Sequence, residues 1–130
     1  MPTVTLTLTE EQADTLLAAL DTYSRLKMGQ FSAVTDLFPA RHFDRTAAAA
    51  ALKEARQAVM PELDPRGYYG IRNLEAGEQA RVAFDVQQVL RHALAWHRYP
   101  EGGIGVCFNA PYRVSREPLI RVEILADPED

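Results

Sequence analysis

The sequence predicts an α+β fold, a single two-layer domain in which three to four helices cover a three-stranded antiparallel sheet. Apolar and polar residues alternate near both ends of the chain, which is the period of a half-buried strand. The middle of the chain instead carries apolar residues at helical spacing. A length of 130 residues suits one domain with one core.

The predicted element order is β-α-α-α-α-β-β, and the alternating segments at the two ends supply the strands. The predicted strands lie near residues 3–8, 104–109 and 119–125, and the predicted helices span residues 10–28, 30–38, 45–60 and 75–98. We expect residues 1–126 to form the single globular domain, followed by an acidic tail at 127–130.

The first helix has clear start and stop signals. Thr9 and Gln12 have the capping-box form, in which the Thr9 hydroxyl accepts from the Gln12 amide while the Gln12 side chain reaches back. The helix should therefore begin at Glu10, and Gly29 is a natural left-handed stop. Asp44 is a plausible N-cap for the third helix.

The last predicted helix is the centre of the domain. Its apolar residues form two neighbouring stripes, so the face that needs cover is wide. The stripes consist of Val82, Val86, Val89, Ala93 and Trp96, and of Ala76, Ala80, Ala83, Leu90 and Leu94. Pro100 closes the helix, and a second copy of the chain could share in covering the face, so a homodimer is left open.

Composition excludes several classes of protein. Cys107 is the only cysteine, which rules out an internal disulfide and a multi-cysteine zinc site. A net charge of −4 argues against a nucleic-acid platform. No apolar run approaches the roughly 20 residues of a membrane span, and the N-terminus does not resemble a signal peptide. We therefore expect a cytoplasmic protein without a membrane partner.

The histidines and the cysteine do not form a catalytic or metal-binding pattern. His92 and His97 are five residues apart, so they point about 140° apart around a helix and cannot chelate one ion. Cys107 lacks a neighbouring activator and is typical of a small buried residue in a strand. The sequence predicts no catalytic residue, no metal and no cofactor, and hence no enzyme.

Two groups of residues are candidate binding sites. The first is a loop with Arg66, Tyr68, Tyr69 and Arg72, a mixture enriched where proteins grip partners or planar ligands. The alternative for this loop is a segment pinned by two half-buried tyrosines.

The second candidate is the polar edge of the central helix, formed by Arg81, Asp85, Gln88 and His92 at spacings of four, three and four. Such a row is usually the solvated face of an amphipathic helix. The alternative is a hydrogen-bonding groove or an oligomer seam.

Several short segments resemble small uncharacterised proteins of bacteriophages and prophages. These are LDTYSR at 20–25, MGQ at 28–30, YGI at 69–71, AFDVQQVLR at 83–91 and LAW at 94–96. The resemblance implies a small protein made in the host cytoplasm, for which binding a host or phage component is a common task. It carries no established activity and transfers no functional residue.

Two functional hypotheses follow. The first is a non-enzymatic interaction or regulatory protein of phage type that binds a host or phage macromolecule, with a protein as the expected partner. The alternative is a small-ligand or nucleotide-binding protein that uses the loop of Tyr68 and Tyr69.

Overall fold

The computed structural model describes residues 2–73 and 77–126, and within these ranges the chain is helical and has no strand. The α-helices are α1 (Glu10–Lys27), α2 (Arg45–Val59) and α3 (Gly77–Arg98). Short 3-10 helices lie at Phe31–Leu37, Ala40–His42 and Val106–Phe108. The predicted α+β class with a three-stranded antiparallel sheet is therefore wrong.

The three predicted strands fail because a strand needs a neighbour that takes its backbone hydrogen bonds. Within the described ranges, residues 2–8 and 118–126 form no backbone-to-backbone hydrogen bond. Residues 104–109 turn into the 3-10 helix Val106–Phe108 instead. In residues 119–125, Val122 packs against the core of the helices. The alternation of apolar and polar residues there therefore reflects a segment with one partly covered side, and not a strand paired with another strand.

The signals at the ends of α1 are confirmed. Thr9 Oγ1 accepts from the amide of Gln12 at 3.1 Å, and the Thr9 amide donates to Gln12 Oε1 at 2.9 Å. Gly29 follows the helix with φ of +86°, the left-handed conformation that glycine adopts without strain. The Gln30 amide then bonds the Arg25 carbonyl at 2.8 Å, which completes a Schellman motif.

The other predicted helices agree with the structure only in part. Residues 30–38 form the 3-10 helix Phe31–Leu37 rather than an α-helix. α2 begins where Asp44 Oδ1 accepts from the Ala47 amide at 3.1 Å, as its sequence predicted. The predicted start of α3 at residue 75, and the acidic tail at 127–130, lie outside the described residues.

α1 and α3 pack against each other in antiparallel directions. Arg98, at the end of α3, bonds Glu10 at 2.6 Å and Asp14 at 2.9 Å, both at the start of α1. Near the other end of the pair, Ser24 donates its hydroxyl to the Ala80 carbonyl at 3.0 Å. These contacts at both ends set the relative position of the two helices along their length.

The buried residues of this pair form two small clusters. One contains Ala13, Leu90 and Leu94, with Leu16, Leu17 and Val122 packed against it; the other contains Met28 and Ala80, with Ile71 against it. The α1–α3 seam is therefore the core of the described chain.

α2 lies apart from this core and packs on the 3-10 helix Phe31–Leu37. None of its residues is fully buried, and its last residue, Val59, is 69% exposed. No helix in the described ranges is long and apolar enough to cross a membrane.

Candidate functional site

A groove of about 750 Å³ opens between α2, the 3-10 helix Phe31–Leu37 and the loop that carries Tyr68 and Tyr69. We call it the α2 groove. Its apolar lining comes from three separate segments of the chain: Phe31, Phe38, Phe43, Leu52, Tyr68 and Tyr69. Aromatic side chains provide large contact area at low entropic cost, so the lining suits a binding surface.

The depth of burial varies along the groove. Phe31, Phe43 and Leu52 are half-buried and form the inner part. Tyr68 is 79% exposed, and Phe38 is also exposed. The groove therefore presents accessible aromatic side chains beside a partly covered apolar surface.

Three cations and one carboxylate line the same groove: Arg45, Lys53, Arg56 and Asp36. Within the part of the chain that the structure describes, neither Arg45 nor Lys53 has an ion-pair partner. The local charge is positive although the whole chain has a net charge of −4. An acidic group is thus the better electrostatic match for this surface.

Arg56 fixes the loop at one side of the groove. Its guanidinium donates to the carbonyls of Gly67 at 2.9 Å, Asp64 at 3.3 Å and Pro65 at 3.3 Å. It also lies over the ring of Tyr69, 5.8 Å from the ring centroid. One α2 side chain therefore binds three backbone carbonyls and one aromatic ring of the loop.

The two tyrosines of the loop have different environments. Tyr69 is half-buried, its hydroxyl accepts from the Asp64 amide at 3.1 Å, and its carbonyl accepts from Gln30 at 2.8 Å. Tyr68, its neighbour, is exposed at the groove. Tyr69 therefore pins the loop, while Tyr68 is accessible to a partner.

The two arginines predicted with these tyrosines do not line the groove. Arg66 is exposed, and its amide bonds the Asp64 carboxylate at 2.9 Å in a local turn. Arg72 lies over the ring of Tyr112, 5.0 Å from its centroid, and donates to its hydroxyl at 2.6 Å. Tyr69 therefore contacts Arg56 of α2, and Tyr68 shares the groove lining with the α2 cations and not with Arg66 or Arg72.

Sequence reasoning missed the cations that α2 contributes. The sequence does contain a pattern that could have indicated them, because the residues of α2 that line the groove recur at the spacing of one helix face. They are Arg45, Ala49, Leu52, Lys53 and Arg56, at steps of four, three, one and three. That pattern indicates one helix face, but only the packing on the 3-10 helix Phe31–Leu37 shows that the face borders a groove.

The predicted polar edge of α3 makes contacts within the chain. Arg81 donates to the carbonyls of Ile71 at 3.2 Å and Asn73 at 2.7 Å. Asp85 is buried, and its carboxylate accepts from the amides of Val114 at 2.9 Å and Ser115 at 3.0 Å and from the Ser115 hydroxyl. Both side chains therefore fasten irregular segments to α3.

The other two members of that edge contact different neighbours. Gln88 donates to Gln87 at 2.6 Å and accepts from Arg91 at 2.6 Å. His92 Nδ1 lies 3.2 Å from the Cys107 carbonyl. None of the four edge residues lines the α2 groove, so the two predicted sites are separate places on the molecule.

The end of α3 carries an aromatic cluster beyond His92. Trp96 packs edge-on against Phe108 with centroids 5.4 Å apart, and its indole nitrogen donates to the Phe108 carbonyl at 3.1 Å. Tyr99 also packs edge-on against Phe108, with ring centroids 6.3 Å apart. Among the described residues, no three of His, Cys, Asp and Glu are arranged to hold a metal ion.

Comparison of the chain with protein-family models, curated proteins and solved structures found no match. The resemblance of segments such as 83–91 to phage proteins therefore stays a prediction. We interpret the α2 groove from its own chemistry, because its lining and charge are the features that bear on a ligand.

Proposed function

We propose that this chain is a non-enzymatic interaction protein whose α2 groove binds a short segment of a protein partner. The observation that supports it most is Tyr68, an exposed aromatic side chain on a loop that Arg56 and Tyr69 hold in place. A rigid, accessible tyrosine is a frequent anchor in protein interfaces, because little entropy is lost when it is covered.

The lining suggests the composition of the partner segment. The half-buried Phe31, Phe43 and Leu52 suit an apolar side chain of the partner. Arg45 and Lys53 suit an acidic side chain beside it. We therefore propose a segment that combines an aromatic or aliphatic anchor with at least one carboxylate.

The class of partner and its location belong to the same proposal. The phage-type resemblance favours a host or phage macromolecule as the partner and the host cytoplasm as the place of action.

A second candidate is a small anionic ligand such as a nucleotide. The volume of about 750 Å³ lies within the usual range of small-molecule sites. Tyr68 would stack on a planar ring, while Arg45 and Lys53 would face phosphate oxygens. The open form of the groove, with Tyr68 so exposed, favours the protein segment over this ligand.

Site-specific crosslinking tests the proposal. A photoreactive phenylalanine analogue replaces Tyr68 in one variant and Tyr99, an exposed tyrosine outside the groove, in the control. We expect a protein adduct in bacterial lysate from position 68 and none of the same mass from position 99. The adduct should weaken in Lys53→Gln and persist in Lys27→Gln, since Lys27 lies outside the groove lining.

The two candidates give different results. Native mass spectrometry of the purified chain with added ATP tests the nucleotide candidate. A complex with ATP that is lost in Tyr68→Ala and retained in Tyr99→Ala would favour this second candidate. An adduct that forms equally from both positions, or in Lys53→Gln as strongly as in the parent, would contradict the proposed groove interface.

A further inference from the structure

The α2 groove runs along most of α2. The helix residues that line it extend from Arg45 to Arg56, and at about 1.5 Å per residue these positions are about 16 Å apart along the axis. Arg56 lies at the end that carries the tyrosines, since it binds the Gly67 carbonyl and lies over the Tyr69 ring. Arg45 therefore marks the opposite end, and an occupant that reaches both ends must follow the helix.

The groove is narrow for its length. Its volume of about 750 Å³ over about 16 Å gives a mean cross-section of about 45 Å², which corresponds to a channel about 7.5 Å wide. An α-helix with its side chains is about 10–12 Å in diameter. An extended segment rises about 3.3 Å per residue and fills the same length with about five residues. The shape of the groove therefore favours an extended segment over a helix.

The charge of the lining matches two carboxylates. Arg45, Lys53 and Arg56 are positive and Asp36 is negative, so the lining carries a net charge of +2. Arg56 already donates to three loop carbonyls. Arg45 and Lys53 are exposed, and neither has an ion-pair partner among the residues that the structure describes. A segment with one carboxylate beside Arg45 and one beside Lys53 would neutralise the lining.

Arg45 and Lys53 also set the spacing of those carboxylates. They are eight residues apart on α2, so their Cα atoms are separated by about 12 Å along the axis. In an extended segment, residues four apart are separated by about 13 Å and have their side chains on the same side. In a helix, residues about eight apart would be needed to span the same distance. The two conformations therefore predict different spacings.

Ala49 lies halfway between the two cations, four residues from each. It is exposed and its side chain is a single methyl group, which leaves room in the groove beside it. The half-buried Phe31, Phe43 and Leu52 supply apolar surface in the same lining. The residue midway between two carboxylates of an extended segment has its side chain on the same side as both. An apolar side chain at that position would therefore lie over Ala49.

We propose, on the basis of the interaction function above, that the partner segment is extended and contains about five residues in the order acidic, any, apolar, any, acidic. One carboxylate pairs with Arg45 and the other with Lys53, while the central apolar side chain lies over Ala49. Tyr68 covers the end of the segment beside Lys53, because the tyrosine loop is bound at the Arg56 end of the groove.

Selection from a library of displayed random dodecapeptides, with the full chain as the target, tests this order. We expect the enriched peptides to carry two acidic residues four positions apart, with an aromatic or aliphatic residue midway between them. Dodecapeptides also allow acidic residues eight positions apart, and enrichment of that spacing would overturn the extended conformation.

Tyr68→Ala separates this inference from the proposed function. Enriched peptides that lose binding in Tyr68→Ala but lack the paired acidic residues would overturn the proposed order and leave the groove as the interaction surface. Enriched peptides that bind Tyr68→Ala as tightly as the parent chain, or no enrichment at all, would contradict the groove interface and the proposed order together.

Filling the space beside Ala49 tests where the central residue lies. Fluorescence anisotropy with a labelled enriched peptide should show that Ala49→Leu raises the dissociation constant at least about tenfold, because the added side chain occupies that position. The matched control is Ala50→Leu, at an exposed alanine of α2 outside the lining, which should leave the dissociation constant unchanged. Leucine favours helix, and circular dichroism verifies that both variants keep α2. Equal affinities of the two variants would overturn the placement.

Double-mutant cycles test the two ion pairs. One cycle combines Lys53→Gln with replacement of one peptide carboxylate by its amide, and the other combines Arg45→Gln with replacement of the second carboxylate. We expect each pair to couple by about threefold in the dissociation constant, since both cations are exposed. Lys27→Gln, outside the groove lining, should couple with neither carboxylate. Absence of coupling in both cycles would overturn the proposed pairing.

Discussion

Asp85 is buried in the structure, although its place in the sequence pattern predicted a solvated helix face or a groove. Its spacing with Arg81, Gln88 and His92 suggested a solvated helix face or a groove. In the structure its carboxylate is only 4% exposed and accepts three hydrogen bonds from Val114 and Ser115. The residue fastens the irregular C-terminal part of the chain to α3.

We predict that Asp85→Ala lowers the free energy of unfolding by roughly 2–3 kcal/mol, because it leaves buried amide donors without an acceptor. Urea denaturation measured by circular dichroism provides the value. Ser115→Ala keeps both backbone amides on Asp85, removes the hydroxyl bond to Asp85 and the bond that the hydroxyl oxygen accepts from the Glu117 amide, and should cost about 1 kcal/mol. If Asp85→Ala cost no more than Ser115→Ala, the two backbone amides would not depend on this carboxylate.

Arg98 connects two elements, since it lies at the end of α3 and bonds Glu10 and Asp14 at the start of α1. The hydrogen bonds that Arg98 donates, to Asp14 first and to Glu10 second, raise the pKa of its guanidinium above the ordinary value. A raised pKa contributes stability that is fully present below the unfolded value, so this contribution is constant around neutral pH. Ionic strength, not pH, is the variable that reveals it.

We predict that Arg98→Gln lowers the free energy of unfolding by at most about 1 kcal/mol, because the pair is largely solvated. The loss should shrink when NaCl is added to the urea titration, since salt screens exposed charges. Arg25→Gln is the control, because the ion pair of Arg25 with Asp21 lies inside α1, and its bond to Gln30 is to a neutral side chain just after the same helix. A loss for Arg98→Gln that is independent of salt would show that lost packing is the cause.

Over the whole molecule, stability should be uneven. α1 and α3 bury the residues of the core, whereas α2 packs on the 3-10 helix Phe31–Leu37 and buries none fully. Elements with few buried apolar contacts open at lower free energy. The α2 groove, which lies between α2 and this 3-10 helix, is therefore on the less stable side of the molecule.

We predict that amides of α2 exchange with deuterium faster than those of α1 and α3. Hydrogen exchange followed by mass spectrometry gives the order, with the buried stretch around Leu90 as the internal reference. Arg56→Ala should speed exchange in residues 64–70 as well, because it removes the bonds that hold that loop. Equal protection in all three helices would show that the chain opens only as one unit.

The caps and stop residues of the helices could be predicted from the sequence, because each depends on residues close together in the chain. Thr9 with Gln12, Gly29 and Asp44 each act within a few positions, and the structure confirms all three. Helical spacing also located most of α3. These features follow from backbone hydrogen bonding over one or two turns.

Only part of the candidate site could be predicted from the sequence. Tyr68 and Tyr69 were selected for their composition and do line the groove, but Arg66 and Arg72, chosen as neighbours, lie away from its lining. The cations at the groove come from α2, the helix that precedes the loop. Their place at the groove depends on how α2 packs on the 3-10 helix Phe31–Leu37, which the sequence does not show.

By itself the sequence determined where α1 begins and ends and where α2 begins, because caps act over short distances. It also determined that residues 3–8 and 119–125 alternate in polarity. Only the tertiary structure decided that these segments stay unpaired within one chain, because a strand is defined by the neighbour that accepts its hydrogen bonds.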